Sequence, residues 1–192
     1  MVDLIAEQSA SITAAERLFG RPAPLHVDFG CGDGTLLRAL AAQHPDCNFV
    51  GVERLLHRVR SSGRKAAELS NVRILRSETM FVLKHVLGPE SVSAFYLLFP
   101  DPWPKRRHHR RRLVNSEFLD ALAQRLTMSG SIFIATDHDE YFSAIKRLAE
   151  TASTLDSVAG AWTLPQTTFE KRFTAAGMKI HRLVLRKTSP VM

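Results

Sequence analysis

The chain has 192 residues, 45% of them hydrophobic and 23% charged, which is typical of one globular domain with a core of its own. Its formal net charge of +7 favours a polyanionic partner, although an ordinary basic enzyme would have the same balance. The sequence has no run long enough to span a bilayer, no signal-peptide pattern at its start and too few cysteines for a disulfide framework, so we expect a cytoplasmic protein without a membrane partner.

Strand-like and helix-like segments alternate along the chain. Short apolar segments predict strands at 25–29, 48–52, 72–75, 92–99 and 131–135. The spacing of apolar residues predicts helices at 35–44, 55–69, 79–86, 116–126 and 139–152, with a turn at Ser129-Gly130. The last part differs: we expect a strand near 161–164, a short helix from Phe169 and a strand at 179–185.

This alternation predicts an α/β fold in which a mostly parallel sheet has helices on both faces. The two closely spaced strands at the end are expected to join one edge in antiparallel orientation. We expect a single domain over residues 1–192, with 1–24 as an N-terminal helical extension. Ligands of such sheets bind beyond the carboxyl ends of the strands, so the residues that follow each strand are the site candidates.

The first predicted strand runs into a glycine-rich loop, Asp28-Phe29-Gly30-Cys31-Gly32-Asp33-Gly34. Glycines let the backbone approach a ligand, and Glu53, after the second strand, is placed to accept hydrogen bonds from ribose hydroxyls. A dinucleotide is disfavoured, because Thr35 replaces its third glycine and Asp28 would repel a pyrophosphate. The cationic sulfonium of S-adenosylmethionine suits this acid. The predicted cofactor-binding residues are Asp28, Gly30, Gly32, Gly34 and Glu53.

Two further acids follow later strands. Glu78, after the third strand, is equally well explained as a contact for adenine or as an acid favoured at a helix N-terminus. Asp101 lies after the fourth strand in Phe99-Pro100-Asp101-Pro102-Trp103-Pro104, where the prolines stiffen the loop. A rigidly held acid at the end of a central strand indicates a reaction site, although a proline-rich turn with a solvated carboxylate would have the same sequence.

Eight consecutive residues able to carry positive charge follow this loop, Lys105-Arg106-Arg107-His108-His109-Arg110-Arg111-Arg112. Charge runs are usually solvated loops. Next to the expected reaction site, this run favours contact with the phosphates of a nucleic acid. The two histidines have no cysteine partner at metal-binding spacing, so we expect no metal site.

Together these motifs resemble the bacterial tRNA (guanine-N7-)-methyltransferases, a TrmB-like family. The resemblance covers about residues 25–187. It rests on 27–34, Gly51-Val52-Glu53, 99–112, Ala135-Thr136-Asp137 and 167–173. It implies a Rossmann-like class I methyltransferase with a seven-stranded sheet, S-adenosylmethionine as methyl donor and S-adenosylhomocysteine as its product. It further implies methylation of guanine 46 in the tRNA variable loop, by a monomer or a homodimer.

The resemblance also implies residue roles. Asp101 is the catalytic acid and joins Asp28, Glu53 and Glu78 at the cofactor. The substrate-binding residues are Lys105, Asp137, Thr167, Thr168, Phe169 and Glu170. The RNA-contacting residues are Arg106, Arg107, Arg110, Arg111 and Arg112. The chain departs from the family in having Glu78-Thr79 where Asp-Ala is usual, and in a shorter segment before Leu25, from which fewer tRNA contacts are expected.

Other functions fit some of these motifs. Methyltransferases that act on exocyclic amines often carry Asn or Asp followed by Pro-Pro-aromatic after the fourth strand, and Asp101-Pro102-Trp103-Pro104 lacks the second adjacent proline. A non-catalytic RNA-binding protein with this fold is the second alternative, against which the intact acids argue. A nicotinamide oxidoreductase is disfavoured by the glycine spacing.

Overall fold

The computed structural model describes residues 14–160 and 162–188, in which seven strands form one sheet. The strands are β1 (Leu25–Phe29), β2 (Asn48–Glu53), β3 (Val72–Arg76), β4 (Val92–Leu98), β5 (Leu126–Thr136), β6 (Leu155–Ser157) and β7 (His181–Lys187). The helices are α1 (Ala14–Phe19), α2 (Thr35–Gln43), α3 (Leu56–Lys65), α4 (Thr79–Phe81, continued by a π-helical turn at Val82–Val86), α5 (Ser116–Arg125), α6 (Asp139–Thr151) and α7 (Thr168–Ala175). A 3₁₀ turn at Arg106–Arg111 lies between β4 and α5.

The strand order in the sheet is β3-β2-β1-β4-β5-β7-β6. The strands β1 to β5 are parallel, whereas β7 pairs antiparallel with both β5 and β6. This confirms the prediction of a mostly parallel seven-stranded sheet with an antiparallel edge. Because β2 and β4 flank β1, the chain order reverses there, and the carboxyl ends of β1 and β4 border the crevice in which such sheets bind ligands.

Neighbouring side chains of the central strand β4 pack on opposite faces of the sheet. Phe95 belongs to a core cluster with Phe118 of α5 and Ile145 of α6. Tyr96 belongs to a second cluster with Leu37 of α2. Because side chains alternate along a strand, the two clusters occupy the two faces, and both faces are covered by helices as predicted.

The strand predicted near 161–164 is wrong. Residues 162–167 have no regular structure, position 161 lies outside the described residues, and the sixth strand is Leu155–Ser157. The apolar side chains of this segment cover the sheet without joining it. The Trp162 ring meets the Phe133 ring edge-on at 6.0 Å, and Leu164 packs against the core.

The turn predicted at Ser129-Gly130 lies inside β5. Leu126 pairs with Val92 and Ser131 with Ala94, so the residues between them form a bulge in a strand that continues on both sides. Ser129 has a φ of 64° at this bulge.

The predicted N-terminal helical extension is described only from residue 14. This part contains the short helix α1, and residues 1–13 lie outside the described ranges. Within the described ranges, none of the helices combines the length and the apolar character that crossing a membrane requires.

Candidate active site

The Asp28 carboxyl lies at the end of β1 and is almost completely buried, with 4% exposure. Burial, together with repulsion from Glu53, raises the pKa of Asp28 to about 7. None of the described lysine and arginine side chains forms an ion pair with it. A buried acid that borders a cavity without a cationic partner is suited to a ligand that brings a positive charge or hydrogen-bond donors.

The glycine loop after β1 has a backbone conformation that only glycine adopts easily. Gly30, Gly32 and Gly34 have φ values of 80°, 56° and 74°. The amide groups of Gly30 and Cys31 both donate to the carbonyl oxygen of Val52, at 2.8 and 3.2 Å, which fastens the loop to β2. A Cβ at Gly34 would lie 2.7 Å from the Cβ of Ser62 in α3, so a larger residue is excluded there.

Glu53 ends β2 and is buried beside this loop. Its Oε1 accepts a hydrogen bond from the Leu55 amide at 2.9 Å, and its Oε2 lies 3.7 Å from the Arg58 guanidinium. Glu78 is exposed at the start of α4 and has no hydrogen-bond partner among the described side chains. Neither glutamate lines the cavity described below.

The loop that follows β4 has one strained residue before Asp101 and one after it. Phe99 and Trp103 have φ values of 56° and 43°, in the left-handed region that bulky residues avoid. The Phe99 amide donates to the carbonyl oxygen of Ala135 at 2.8 Å, and its ring lies 5.4 Å from that of Phe173 in α7. The Asp101 side chain is exposed on the cavity wall.

Arg112 holds this loop from the far end of the basic run. Its Nε donates to the carbonyl oxygen of Pro102 at 2.8 Å, and its two terminal nitrogens donate to Glu140 at the start of α6. The guanidinium also lies over the Tyr141 ring, 4.8 Å from its centre. With 8% exposure, Arg112 does not present its charge to solvent. The charge and donors of Arg112 are thus used inside the protein, and the RNA contact expected of this residue stays a prediction.

The start of α7 closes the cavity from above the glycine loop. Thr167 caps the helix, since its Oγ1 accepts from the Glu170 amide at 3.0 Å, and the Thr168 hydroxyl donates to the Thr35 hydroxyl at 3.3 Å. Glu170, with 1% exposure, is ion-paired with Arg182 of β7. The Glu170 carboxylate thus anchors α7 and does not line the cavity.

These elements enclose a cavity of about 320 Å³, within the size range of small-molecule sites. Its wall comes from the glycine loop, the start of α2, the loop after β4, the end of β5, α3 and α7. The lining residues are Asp28, Gly30, Cys31, Gly32, Asp33, Thr35, Leu36, Arg58, Leu98, Phe99, Pro100, Asp101, Pro102, Asp137, Thr167, Thr168, Phe169 and Phe173.

The basic turn, Arg106–Arg111, begins five residues after Asp101. Its four arginines, Arg106, Arg107, Arg110 and Arg111, are exposed and form no ion pair within the described residues. Arg111 lies over the Trp103 ring, 5.0 Å from its centre, which ties the turn to the loop that carries Asp101. Lys105, just before the turn, is exposed and off the cavity wall.

Comparison with known proteins identifies the family. A methyltransferase family model, Methyltransf_4 ("Putative methyltransferase"), matches residues 22–183. A tRNA (guanine-N(7)-)-methyltransferase of Nitrosomonas eutropha is 37% identical over 188 residues, which are 91% of this chain and 81% of that protein. One of Leifsonia xyli subsp. xyli is 37% identical over 185 residues, 89% of this chain and 79% of that protein. The chain belongs to the tRNA (guanine-N7-)-methyltransferase family.

Solved structures support the fold expected of this family. An rRNA methylase from Streptococcus thermophilus superposes with a TM-score of 0.60, at 14% identity, over 92% of each chain. This similarity confirms the Rossmann-like class I methyltransferase fold. The family that the motifs predicted is confirmed by the family model and the curated relatives.

The cavity fits S-adenosylmethionine, the methyl donor of this methyltransferase family. Its wall carries the unpaired acids Asp28, Asp101 and Asp137 and a single arginine, Arg58, whereas Asp33 is ion-paired with Lys65. An acidic wall suits a sulfonium and an amino group and would repel a pyrophosphate. A Cβ built on Gly30 would meet no other atom within 4 Å, so the backbone there is open to a ligand.

The structure brings together most of the predicted site residues of this family member. The cavity wall includes eight of them: Asp28, Gly30, Gly32, Asp101, Asp137, Thr167, Thr168 and Phe169. Five of the predicted cofactor- and substrate-binding residues lie off the wall: Gly34, Glu53, Glu78, Lys105 and Glu170. The sequence analysis named none of Arg58, Phe99 and Phe173 as a site residue. Phe99 and Phe173 belong to the segments 99–112 and 167–173 on which the family resemblance rests, and Phe99 also follows the end of β4, where ligands bind.

Proposed function

We propose that this chain transfers the methyl group of S-adenosylmethionine to N7 of guanine 46 in the variable loop of tRNA, in the cytoplasm. The observation that carries the proposal is the adjacency of two features. An acidic cavity formed by the glycine loop and Asp101 lies beside a turn of exposed, unpaired arginines. Membership of the tRNA (guanine-N7-)-methyltransferase family supports the same reaction.

The floor of the cavity would hold the methyl donor. S-adenosylmethionine, when bound, supplies a methyl group on a cationic sulfur that a nucleophile can displace. Asp28 provides a buried carboxylate beside Gly30 and Gly32, and ligand donors would lower its raised pKa. Glu53 is the proposed acceptor for ribose hydroxyls, since it ends the neighbouring strand β2 and its charge acts on Asp28. The contact of Glu78 with adenine has the least support, because this side chain is exposed and off the wall.

Guanine N7 carries an in-plane lone pair and no proton, so the reaction needs no general base from the protein. Its task is to place N7 in line with the methyl group, and alignment of this kind contributes up to about 7–11 kcal/mol in the best cases. We assign the orientation of the guanine to Asp101 and Asp137, whose carboxylates can accept its N1 and N2 hydrogens. Both acids also stabilise the positive charge that the ring gains during transfer.

The rest of the tRNA would be held outside the cavity. The arginines of the basic turn and Lys105 are exposed for phosphate contacts, which supply affinity without selecting a base. Thr167, Thr168 and Phe169 form the rim through which a guanine would enter. Glu170 acts behind them, because its ion pair with Arg182 fixes the start of α7.

The test is to incubate the protein with radiolabelled S-adenosylmethionine and unmodified tRNA transcripts, followed by nucleoside analysis. We expect 7-methylguanosine as the labelled product, with Asp101→Ala as the inactive control. Label on an exocyclic amine would assign the chain to the rival methyltransferase class. Tight tRNA binding without any labelled nucleoside would favour a non-catalytic RNA-binding protein.

A further inference from the structure

A second basic surface lies on α3, outside the basic turn. Residues 54–65 contain six basic side chains and no acidic one: Arg54, His57, Arg58, Arg60, Arg64 and Lys65. An α-helix turns by about 100° per residue, so the five basic side chains within α3 itself fall in one arc of about 160° around the helix axis. The buried Ser62 lies outside this arc, next to its edge at Arg58, and packs inward. The helix thus presents a basic face to solvent, which we call the α3 face.

The α3 face lies next to the candidate active site. The close approach of Ser62 to Gly34 sets the middle of the helix against the glycine loop. Lys65 is ion-paired with Asp33 of that loop, and its Nζ donates to the Thr35 hydroxyl at 2.9 Å. At the other end of the helix, Arg58 lines the cavity. The whole helix therefore runs along the edge of the site.

Two charges of the α3 face, Arg60 and Arg64, and that of Arg54 just before the helix are left without a counter-charge. Arg54, Arg60 and Arg64 are exposed, and none of them forms an ion pair with a described residue. An ordinary solvated helix face mixes both signs, as α6 does, where Asp139 and Glu140 accompany the basic residues of the same helix. Like charges without acids repel one another, and a polyanion relieves this repulsion by bringing the opposite charge.

We propose that the α3 face binds the phosphate backbone of the same tRNA whose guanine enters the cavity, an inference that rests on the proposed function. Since α3 follows β2 and the basic turn follows β4, the two basic surfaces lie on opposite sides of β1. A tRNA held on both sides of the cavity has its register fixed, because phosphate contacts position the nucleic acid on the protein.

The test compares two double neutralisations with equal loss of charge. Arg60→Gln with Arg64→Gln changes the α3 face, and Lys146→Gln with Arg147→Gln changes exposed residues of α6 as the control. We expect the first pair to raise the Kd for tRNA roughly ten-fold and to make the slope of log K against log salt shallower by about 2. The control pair should leave the Kd for tRNA and the salt slope close to wild type. In both double variants, the Kd for S-adenosylmethionine and kcat at saturating tRNA should also stay close to wild type.

The proposal fails if the Arg60/Arg64 pair shifts the tRNA Kd and the salt slope no further than the Lys146/Arg147 pair does. Melting temperatures of both variants, measured alongside, show whether a loss of binding reflects loss of the fold. The outcome is independent of the reaction, because tRNA binding is measured without methyl transfer. If the wild type binds tRNA and forms no 7-methylguanosine, the proposed function fails while the α3 face is still tested.

Discussion

Arg112 and Glu140 are joined by two hydrogen bonds of 3.1 and 2.7 Å, one from each terminal nitrogen of the guanidinium to each carboxylate oxygen. The hydrogen bond from Arg112 holds the pKa of Glu140 at about 2, so the pair stays charged at neutral pH. A third hydrogen bond from the same guanidinium, to the carbonyl oxygen of Pro102, links this ion pair to the loop that carries Asp101. The last arginine of the basic run therefore connects the loop that carries Asp101 to the start of α6.

We predict that Arg112→Lys lowers kcat by roughly ten- to a hundred-fold, because a lysine cannot make the three bonds at once and Asp101 loses its fixed position. The Kd for tRNA should change little, since Arg112 is buried and its donors are engaged inside the protein. Steady-state kinetics and tRNA binding at one salt concentration check this. A variant with normal kcat and weakened tRNA binding would contradict this and support the predicted RNA contact of Arg112.

Asp101→Ala and Asp101→Asn are both expected to lower kcat by about 10²- to 10³-fold, since each removes the carboxylate that orients the guanine and stabilises its charge. Binding of tRNA should be retained in both, because phosphate contacts of the basic surfaces outside the cavity supply most of that affinity. Single-turnover methylation and filter binding separate the two effects. Near-normal turnover in either variant would remove Asp101 from the catalytic role.

The affinity for S-adenosylmethionine should depend on pH through Asp28. Its pKa of about 7 in the free protein means that the carboxylate is increasingly protonated below pH 7. Since the ionised form is the one that binds a cationic ligand, the Kd should rise as the pH falls from 8 to 5.5, and Asp28→Asn should bind weakly at every pH. Isothermal titration measures this, and an equal pH dependence in Asp28→Asn would assign it to another group.

The same pKa predicts a stability effect of opposite sign. A carboxyl whose pKa is raised on folding contributes stability below its unfolded pKa of 3.8, and this contribution is lost as the pH rises through about 7. Without ligand, Asp28→Asn should therefore raise the melting temperature more at pH 8.5 than at pH 5. Thermal unfolding at the two pH values checks this, and an equal change at both would contradict it.

Neutralising Arg110 and Arg111 to Gln should weaken tRNA binding and make the salt slope shallower by about 2, one contact for each arginine. Both side chains are exposed, unlike Arg112. Binding measured between 50 and 300 mM salt gives the slope. An unchanged slope would show that the basic turn is only a solvated loop.

Glu170 and Arg182 should act as one unit. If Glu170 anchors α7 through Arg182, then Glu170→Gln, Arg182→Met and the double variant should lower activity by similar factors. A direct contact between Glu170 and substrate would instead make the effects of the two single changes multiply. A double-mutant cycle on kcat/KM distinguishes these outcomes.

The central strands were predictable because their residues are buried on both faces. The strand Leu25–Phe29 has the predicted bounds, and Val92–Leu98 differs from its prediction by one residue. The edge was less predictable. At 162–164, Trp162 and Leu164 are apolar because they cover the sheet, and a short apolar segment of this kind has the same pattern as a strand.

The rule that ligands bind where parallel strands end pointed to Asp28 and Asp101, which line the cavity, and also to Glu53 and Glu78, which do not. Asp137, the third acid on the wall, was expected only from the family resemblance. The burial of Arg112 was not predictable, since it stands in a run of basic residues and its partner Glu140 is 28 residues away. The inward orientation of Glu170 depends in the same way on a partner from a distant strand.

The most direct test of the central claim uses a tRNA transcript whose guanine 46 is replaced by 7-deazaguanine. This base keeps the N1 and N2 hydrogens that Asp101 and Asp137 are proposed to accept, and lacks only the nitrogen that receives the methyl group. We predict that the substituted tRNA binds as tightly as the unmodified transcript and takes up no labelled methyl group. Methyl transfer to the substituted tRNA at the normal rate would contradict N7 of guanine 46 as the target.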